Sequence, residues 1–204
     1  ALSELANDYL KAGIYDKAID CLERLSKNDE YRLDALRSLL RIRCTEHDWE
    51  AAIESARRLE KEASEDHSAD IAHFHCELAE LAVKQKNPEA AEREVSLALL
   101  EKPYSPRALM LAGDFAFQKN QVKEAVEDWE KLRQHSEDHF PLVFSRLVKG
   151  YDALGDAAGA QAVIDYALNR FPTSEVVEQA MKRAFKDKGQ QAAAEIVSKG
   201  LSGH

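Results

Sequence analysis

The densest grouping of side chains able to do chemistry is the run His73-Phe-His75-Cys76. On a helix, His73, Cys76 and Glu80 fall at i, i+3 and i+7 and share one face. A tetrahedral zinc site needs a fourth ligand from a neighbouring element, for which the sequence supplies Cys44 or a distant histidine. The three cysteines, Cys21, Cys44 and Cys76, never pair as Cys-x-x-Cys. The expectation is that they pack as small hydrophobes in a reducing compartment and that the two histidines are partly exposed helix residues. A metal-dependent sensor or enzyme at His73/His75/Cys76 is the weaker reading, and no metal or cofactor is expected in this chain.

A second chemistry, general acid–base work, needs a carboxylate held in a pocket with a displaced pKa. The carboxylate runs Glu62, Glu65, Asp66 and Glu137, Asp138 lie in polar segments, where solvation is the natural state. The chain has no nucleophile elbow, Ser/His/Asp order or phosphate-cradling glycine loop. The expectation is therefore that it is not an enzyme. With 28 Lys and Arg against 37 Asp and Glu, the formal charge is −9. That balance argues against sequence-independent binding of nucleic acid. No run approaches the ~18 apolar residues of a membrane span, and no signal peptide opens the chain.

What must position any site is a repeat. Ala18, Ala52, Ala91, Ala125, Ala160 and Ala194 are separated by 34, 39, 34, 35 and 34 residues. A period near 34 with small residues at fixed phase is the mark of a helix-turn-helix solenoid. The fullest copy runs from Tyr151 through Gly155, Ala160 and Ala167 to Pro172. Antiparallel helices approach to about 8–10 Å; at the closest point only Ala or Gly fits, and leucine would overpack. The predicted fold is all-α, a right-handed superhelical solenoid of about six helix-turn-helix repeats.

Residues 1–204 read as a single repeat domain, with approximate repeats 1–29, 30–67, 68–104, 105–138, 139–173 and 174–204. The first helical face carries Leu2, Leu5, Ala6 and Tyr9, and the last carries Val177, Met181 and Phe185. Turns are expected at Gly13, at His47-Asp48 and at Asn87-Pro88, where proline sits at the first helical position. The longer second interval places extra residues around Lys61–Ser68, with Ser68 expected to cap the next helix. Neither end shows a polar capping element, so the chain reads as a piece of a longer protein.

In such an array the first helices line a concave groove, the usual place for peptide or protein binding. By phase, that stripe comprises Asn7, Arg37, Arg41, His73, Glu80, Arg107, Asp114, Arg146, Lys149 and Arg183. Its planar guanidinium groups suit carboxylate or phosphate recognition. The partners expected are proteins.

The whole pattern resembles the tetratricopeptide repeat. Two stretches resemble one family of such proteins, lipopolysaccharide assembly protein B: Leu5-Ala-Asn-Asp-Tyr9-Leu-Lys-Ala-Gly13-Ile-Tyr15-Asp-Lys-Ala18 and Ile71-Ala-His73-Phe-His75-Cys76-Glu77-Leu-Ala79. The second is the less generic, because the repeat does not dictate it. Ser105-Pro-Arg107 and Lys123-Glu-Ala125-Val126 extend the likeness. This resemblance implies a cytoplasmic repeat region tethered to the bacterial inner membrane. It also implies a C-terminal rubredoxin-like knuckle holding iron or zinc, which this chain lacks. The implied role is an adaptor that regulates lipopolysaccharide synthesis by presenting the committed-step deacetylase to a membrane AAA+ protease. The repeats alone would equally suit a generic co-chaperone or assembly-factor module.

Overall fold

A computed structural model describes residues 1–188, with side chains described through Phe185. Among the described residues there are eleven α-helices, one 3-10 turn and no strand. The helices are α1 (Leu2–Lys11), α2 (Tyr15–Leu25), α3 (Arg32–Glu46), α4 (Trp49–Ala63), α5 (Ser68–Lys84), α6 (Pro88–Glu101), α7 (Pro106–Gln118), α8 (Val122–His135), α9 (Phe140–Ala153), α10 (Ala157–Arg170) and α11 (Ser174–Lys188). The 3-10 turn is Glu137–His139. Ala194 and the second helix expected in repeat six lie outside the described residues.

The chain divides into two compact units, Ala1–Ala108 and Leu109–His204. In the first, α1 packs on α2, α2 on α3, α3 on α4, α4 on α5 and α5 on α6. In the second, α8 packs on α9, α9 on α10 and α10 on α11. The recurring alanines sit where these helices meet: Ala18, Ala52, Ala91, Ala125 and Ala160 are each 0% exposed. Larger residues one or two turns away fill the diverging gap, as Leu22 and Leu25 do around Ala18 and Val163 and Ile164 around Ala160.

One turn recurs five times and fixes the phase of everything else. Gly13, His47, Lys86, Asn120 and Gly155 all adopt the left-handed conformation, with φ of 70°, 58°, 59°, 63° and 72°. Each lies five residues before a recurring alanine. The residue after each, Ile14, Asp48, Asn87, Gln121 or Asp156, donates its N–H to the carbonyl five residues back, always at 2.9 Å. The left-handed residue bonds three back, as Gly13 does to Leu10 at 3.2 Å and Lys86 to Val83 at 2.9 Å. This is the Schellman arrangement that closes a helix C-terminus. The same following residue caps the next helix, and its carbonyl accepts the N–H of the recurring alanine at 2.9–3.1 Å. Side-chain capping adds to this at three of the five, Asp48 to Ala51, Asn87 to Ala90 and Asp156 to Gly159.

Two local readings are corrected. Ser68 is the first helical residue of α5, not its cap; His67 is the cap residue, and the Asp66 carboxylate accepts the Ser68 N–H at 2.9 Å. On α11 the buried residues are Val176 and Ala180, while Phe185 is 60% exposed. The apolar stripe there is turned by one residue, about 100°, because α10 meets α11 on the Val176/Ala180 side.

In the second unit the small residues accommodate one large one. Trp129 on α8 is 2% exposed and fully inside. A Cβ on Gly113 would lie 2.3 Å from its Nε1, and one on Gly150 would lie 3.2 Å from its Cζ3 and 2.5 Å from Val126. Glycine is required at Gly113 by the indole's bulk, and at Gly150 chiefly by Val126, with the indole close behind.

Candidate partner-binding face

The left-handed residues give a common ruler for the first helix of each pair. Six positions before them stand Asn7, Arg41, Glu80, Asp114 and Lys149. The position recurs at the same phase in each pair: Asn7, Arg41 and Glu80 hold it in the first unit and Asp114 and Lys149 in the second.

In the first unit the acidic residue at this position is already occupied. Arg107, at the start of α7, donates twice to one oxygen of Glu80, Oε1, from Nη2 at 2.7 Å and Nε at 3.1 Å, and to Glu77 through Nη1 at 2.6 Å. Burial works against its charge, but the bonds to Glu77 and Glu80 outweigh it and hold its pKa above the usual arginine value. The same Nη1 lies 3.1 Å from His73 Nδ1. A guanidinium can only donate, so in this contact the ring nitrogen accepts. His73 also meets Trp49 edge-on, and Trp49 stacks on Phe74 with ring centroids 5.6 Å apart. Farther along the unit, Arg37 on α3 binds Glu65 through Nε and Nη2 and Asp34 through Nη1.

The second unit repeats the device. Arg146 on α9 grips Asp114 with both arms, Nε to Oδ1 at 2.6 Å and Nη2 to Oδ2 at 2.9 Å, while Nη1 donates to the Leu142 carbonyl at 2.7 Å. Arg183 on α11 donates to Asp152 at 2.7 Å and to the Ala157 carbonyl at 3.3 Å. A cleft of about 560 Å³ opens beside this last pair, lined by Val148, Ile164 and Gln179 among others.

The stripe therefore separates into two kinds of residue. Arg37, His73, Glu80, Arg107, Asp114, Arg146 and Arg183 are engaged within the protein. Asn7, Arg41 and Lys149 are exposed, and their side chains make no hydrogen bond or ion pair. Three acids the sequence did not single out, Asp34, Glu77 and Asp152, complete the pairs together with Glu65, which reads in the sequence as a solvated carboxylate. Glu77, four residues from His73, and Asp34, three residues before Arg37, were legible as neighbours on one helix face; Glu65 and Asp152 are set by the packing of separate segments.

The residues of the His73–Cys76 run point apart. His75 turns inward and its Nδ1 meets Glu94 of α6 at 2.8 Å. Cys76 is fully buried, and burial pushes its thiol up to about 11, so it stays protonated and poorly suited to ligation. Among the described residues no group of three or more His, Cys, Asp or Glu is arranged to hold a metal ion. No described helix is long and apolar enough to cross a membrane.

Antiparallel helix pairs of about 34 residues, joined by identical turns and registered by buried alanines, define a repeat protein of the helix-turn-helix class. The tetratricopeptide repeat family model matches residues 3–71 and 76–138, and the chain belongs to that family. Among characterised relatives it is similar to lipopolysaccharide assembly protein B of Escherichia coli (strain K12), 28% identical over 158 residues that make up 78% of this chain and 41% of that protein. The protein of that name from Haemophilus influenzae is 24% identical over 198 residues, 96% of this chain and 49% of the relative. The chain thus spans less than half the length of the curated relatives it matches. Solved structures with the same fold include Pseudomonas aeruginosa pilF, with a TM-score of 0.55, 20% identity and coverage of 84% of this chain and 76% of that one. MamA has a TM-score of 0.54, 14% identity and coverage of 78% and 91%.

Proposed function

We propose that this chain is a non-enzymatic adaptor in the control of lipopolysaccharide synthesis, linking a membrane AAA+ protease to the committed-step deacetylase at the cytoplasmic face of the bacterial inner membrane. The observation that carries this reading is the similarity to lipopolysaccharide assembly protein B, which extends over 96% of the chain in one relative. Tetratricopeptide repeats are protein-interaction modules, and the buried, protonated Cys76 and the internally bonded His75 leave the His73–Cys76 run without catalytic geometry.

Partner contact falls to the residues the fold leaves uncommitted. Asn7 and Arg41 occupy the same phase on α1 and α3 in the first unit, with Lys149 at that phase in the second. An exposed guanidinium at a fixed position on a rigid helix supplies a planar pair of donors for a carboxylate of the partner. The paired arginines instead hold neighbouring helices together.

The test is a binding assay of the full chain with the purified deacetylase and the purified protease, each alone and then together. Retention of both, with Arg41→Glu weakening one of them about tenfold, roughly 1.4 kcal/mol, and with an unchanged helical circular dichroism spectrum, is the expected result. Retention of chaperones but of neither enzyme from a Gram-negative lysate would favour the co-chaperone reading instead.

A further inference from the structure

The interval between Ala52 and Ala91 exceeds its neighbours by about five residues, and the excess lengthens the helices, chiefly α5 with 17 residues, while the α4–α5 connector, residues 64–67, is as short as the connectors 102–105 and 136–139. The connector is held in an unusual way. Ser64 turns it with a left-handed φ of 53°. His67 follows, its ring largely covered, and both ring nitrogens face carboxylates: Nδ1 lies 2.9 Å from Asp70 Oδ2 and Nε2 lies 3.1 Å from Glu65 Oε2. The other oxygen of Glu65 is taken by Arg37 of α3. The His67 backbone N–H donates to Glu60 of α4 at 3.3 Å, and Glu60 is in turn bound to Arg57.

A neutral imidazole has one donor and one acceptor. Between two carboxylates, which only accept, it can make one good bond and must set a lone pair against the other anion. The imidazolium satisfies both. We infer that His67 is a protonation-dependent clasp that fastens the α4–α5 connector, through Glu65, to Asp70 of α5, closed when the ring is charged and half released when it is neutral.

The charged surroundings favour the closed form. From the connector come Glu65 and Asp66; from α5, Asp70; from α4, Glu60 with Arg57; from α3, Arg37; and Lys102, after α6, acts on Asp66. Each cation in this set is committed to a carboxylate: Arg37 to Glu65 and Asp34, Arg57 to Glu60 and Glu101, with Lys102 acting on Asp66. The hydrogen bond to Asp70, with that to Glu65 and the pull of both charges, raises the His67 pKa against the opposing effect of its burial. A raised folded-state pKa means the clasp's contribution is complete below the free-histidine value of about 6.5 and is lost as pH rises through the folded value. The device therefore switches on the alkaline side of the free-histidine value, where small changes in pH alter its occupancy.

The experiment is a histidine titration of the full chain by NMR, the His67 resonance being assigned by its loss in His67→Gln. His67 is expected to titrate above 6.5, and Glu65→Gln with Asp70→Asn to return it to the ordinary value. Hydrogen exchange across residues 64–70 is expected to accelerate through that same pKa beyond its intrinsic base dependence, and not to do so in His67→Gln. Should His67→Gln fold poorly, the Glu65→Gln single variant carries the exchange measurement. Titration at or below 6.5, a pKa unmoved by loss of both carboxylates, or exchange indifferent to the titration would each overturn the assignment.

Discussion

Ala160 shows what a single residue decides in this fold. Its methyl group is wholly enclosed where α9 and α10 come together, and its N–H starts α10 by bonding to the Asp156 carbonyl at 3.1 Å. Ala160→Leu adds three carbons with no space to receive them. The expected cost is about 1–3 kcal/mol, read as a lowered denaturant midpoint with unchanged slope; an unaltered midpoint would place the helix contact elsewhere. The recurrence of such alanines was plain in the sequence because small size at fixed spacing is itself the signal. The state of each arginine was not. Arg41 and Arg37 are four apart on one helix, yet Arg37 finds Glu65 beyond α4 while Arg41 finds nothing. Which cation is free depends on where separate segments come to rest, and no local pattern records that.

At the scale of the element, the turn is the unit that repeats, and its sequence is more varied than its shape. Two of the five left-handed positions carry glycine; the others carry His47, Lys86 and Asn120. A non-glycine residue there is held by tertiary packing against an intrinsic cost of about 1–2 kcal/mol. Gly155→Ala is expected to lose roughly that amount, since its Cβ meets nothing within 4 Å and backbone strain is the sole penalty. Lys86→Gly is expected to gain about 0.5–1 kcal/mol, the relief of strain less the extra entropy of glycine in the unfolded chain. Equilibrium denaturation of the two variants checks both signs. Gly13, Gly155 and Asn87-Pro88 marked their turns in the sequence. Asn120 was hidden within a polar run, and only its phase relative to Ala125 identifies it. The rotated stripe on α11 was hidden for another reason. Val176 and Val177 are equally apolar, so composition could not choose the face that α10 covers.

For the molecule as a whole, ion pairs set the response to acid. Four exposed carboxylates are held below their ordinary values: Glu65 by Arg37 and His67, Asp66 by the Ser68 backbone and hydroxyl, Glu137 by Arg170 and Tyr166, and Glu178 by Lys182. A depressed folded-state pKa contributes stability above the unfolded carboxylate value, near 4, and loses it as pH falls through the folded value. Thermal melts are thus expected to vary little with these groups above about pH 5 and to fall steadily below about pH 4. The fall should be shallow, because exposed pairs contribute little each, and added salt should weaken the pairs further. A melting temperature flat down to pH 3 would mean these carboxylates are equally stabilised in the unfolded chain.

The order in which helices pack has a consequence for how the protein comes into being. Within each unit the main contacts join helices adjacent in the chain, so folding need not await a distant partner still inside the ribosome. Synthesis at 5–20 residues per second delivers a 34-residue pair in roughly 2–7 s, whereas helical proteins dominated by local contacts fold within milliseconds. Each hairpin of helices has ample time to close on the one before it while the next is still being translated.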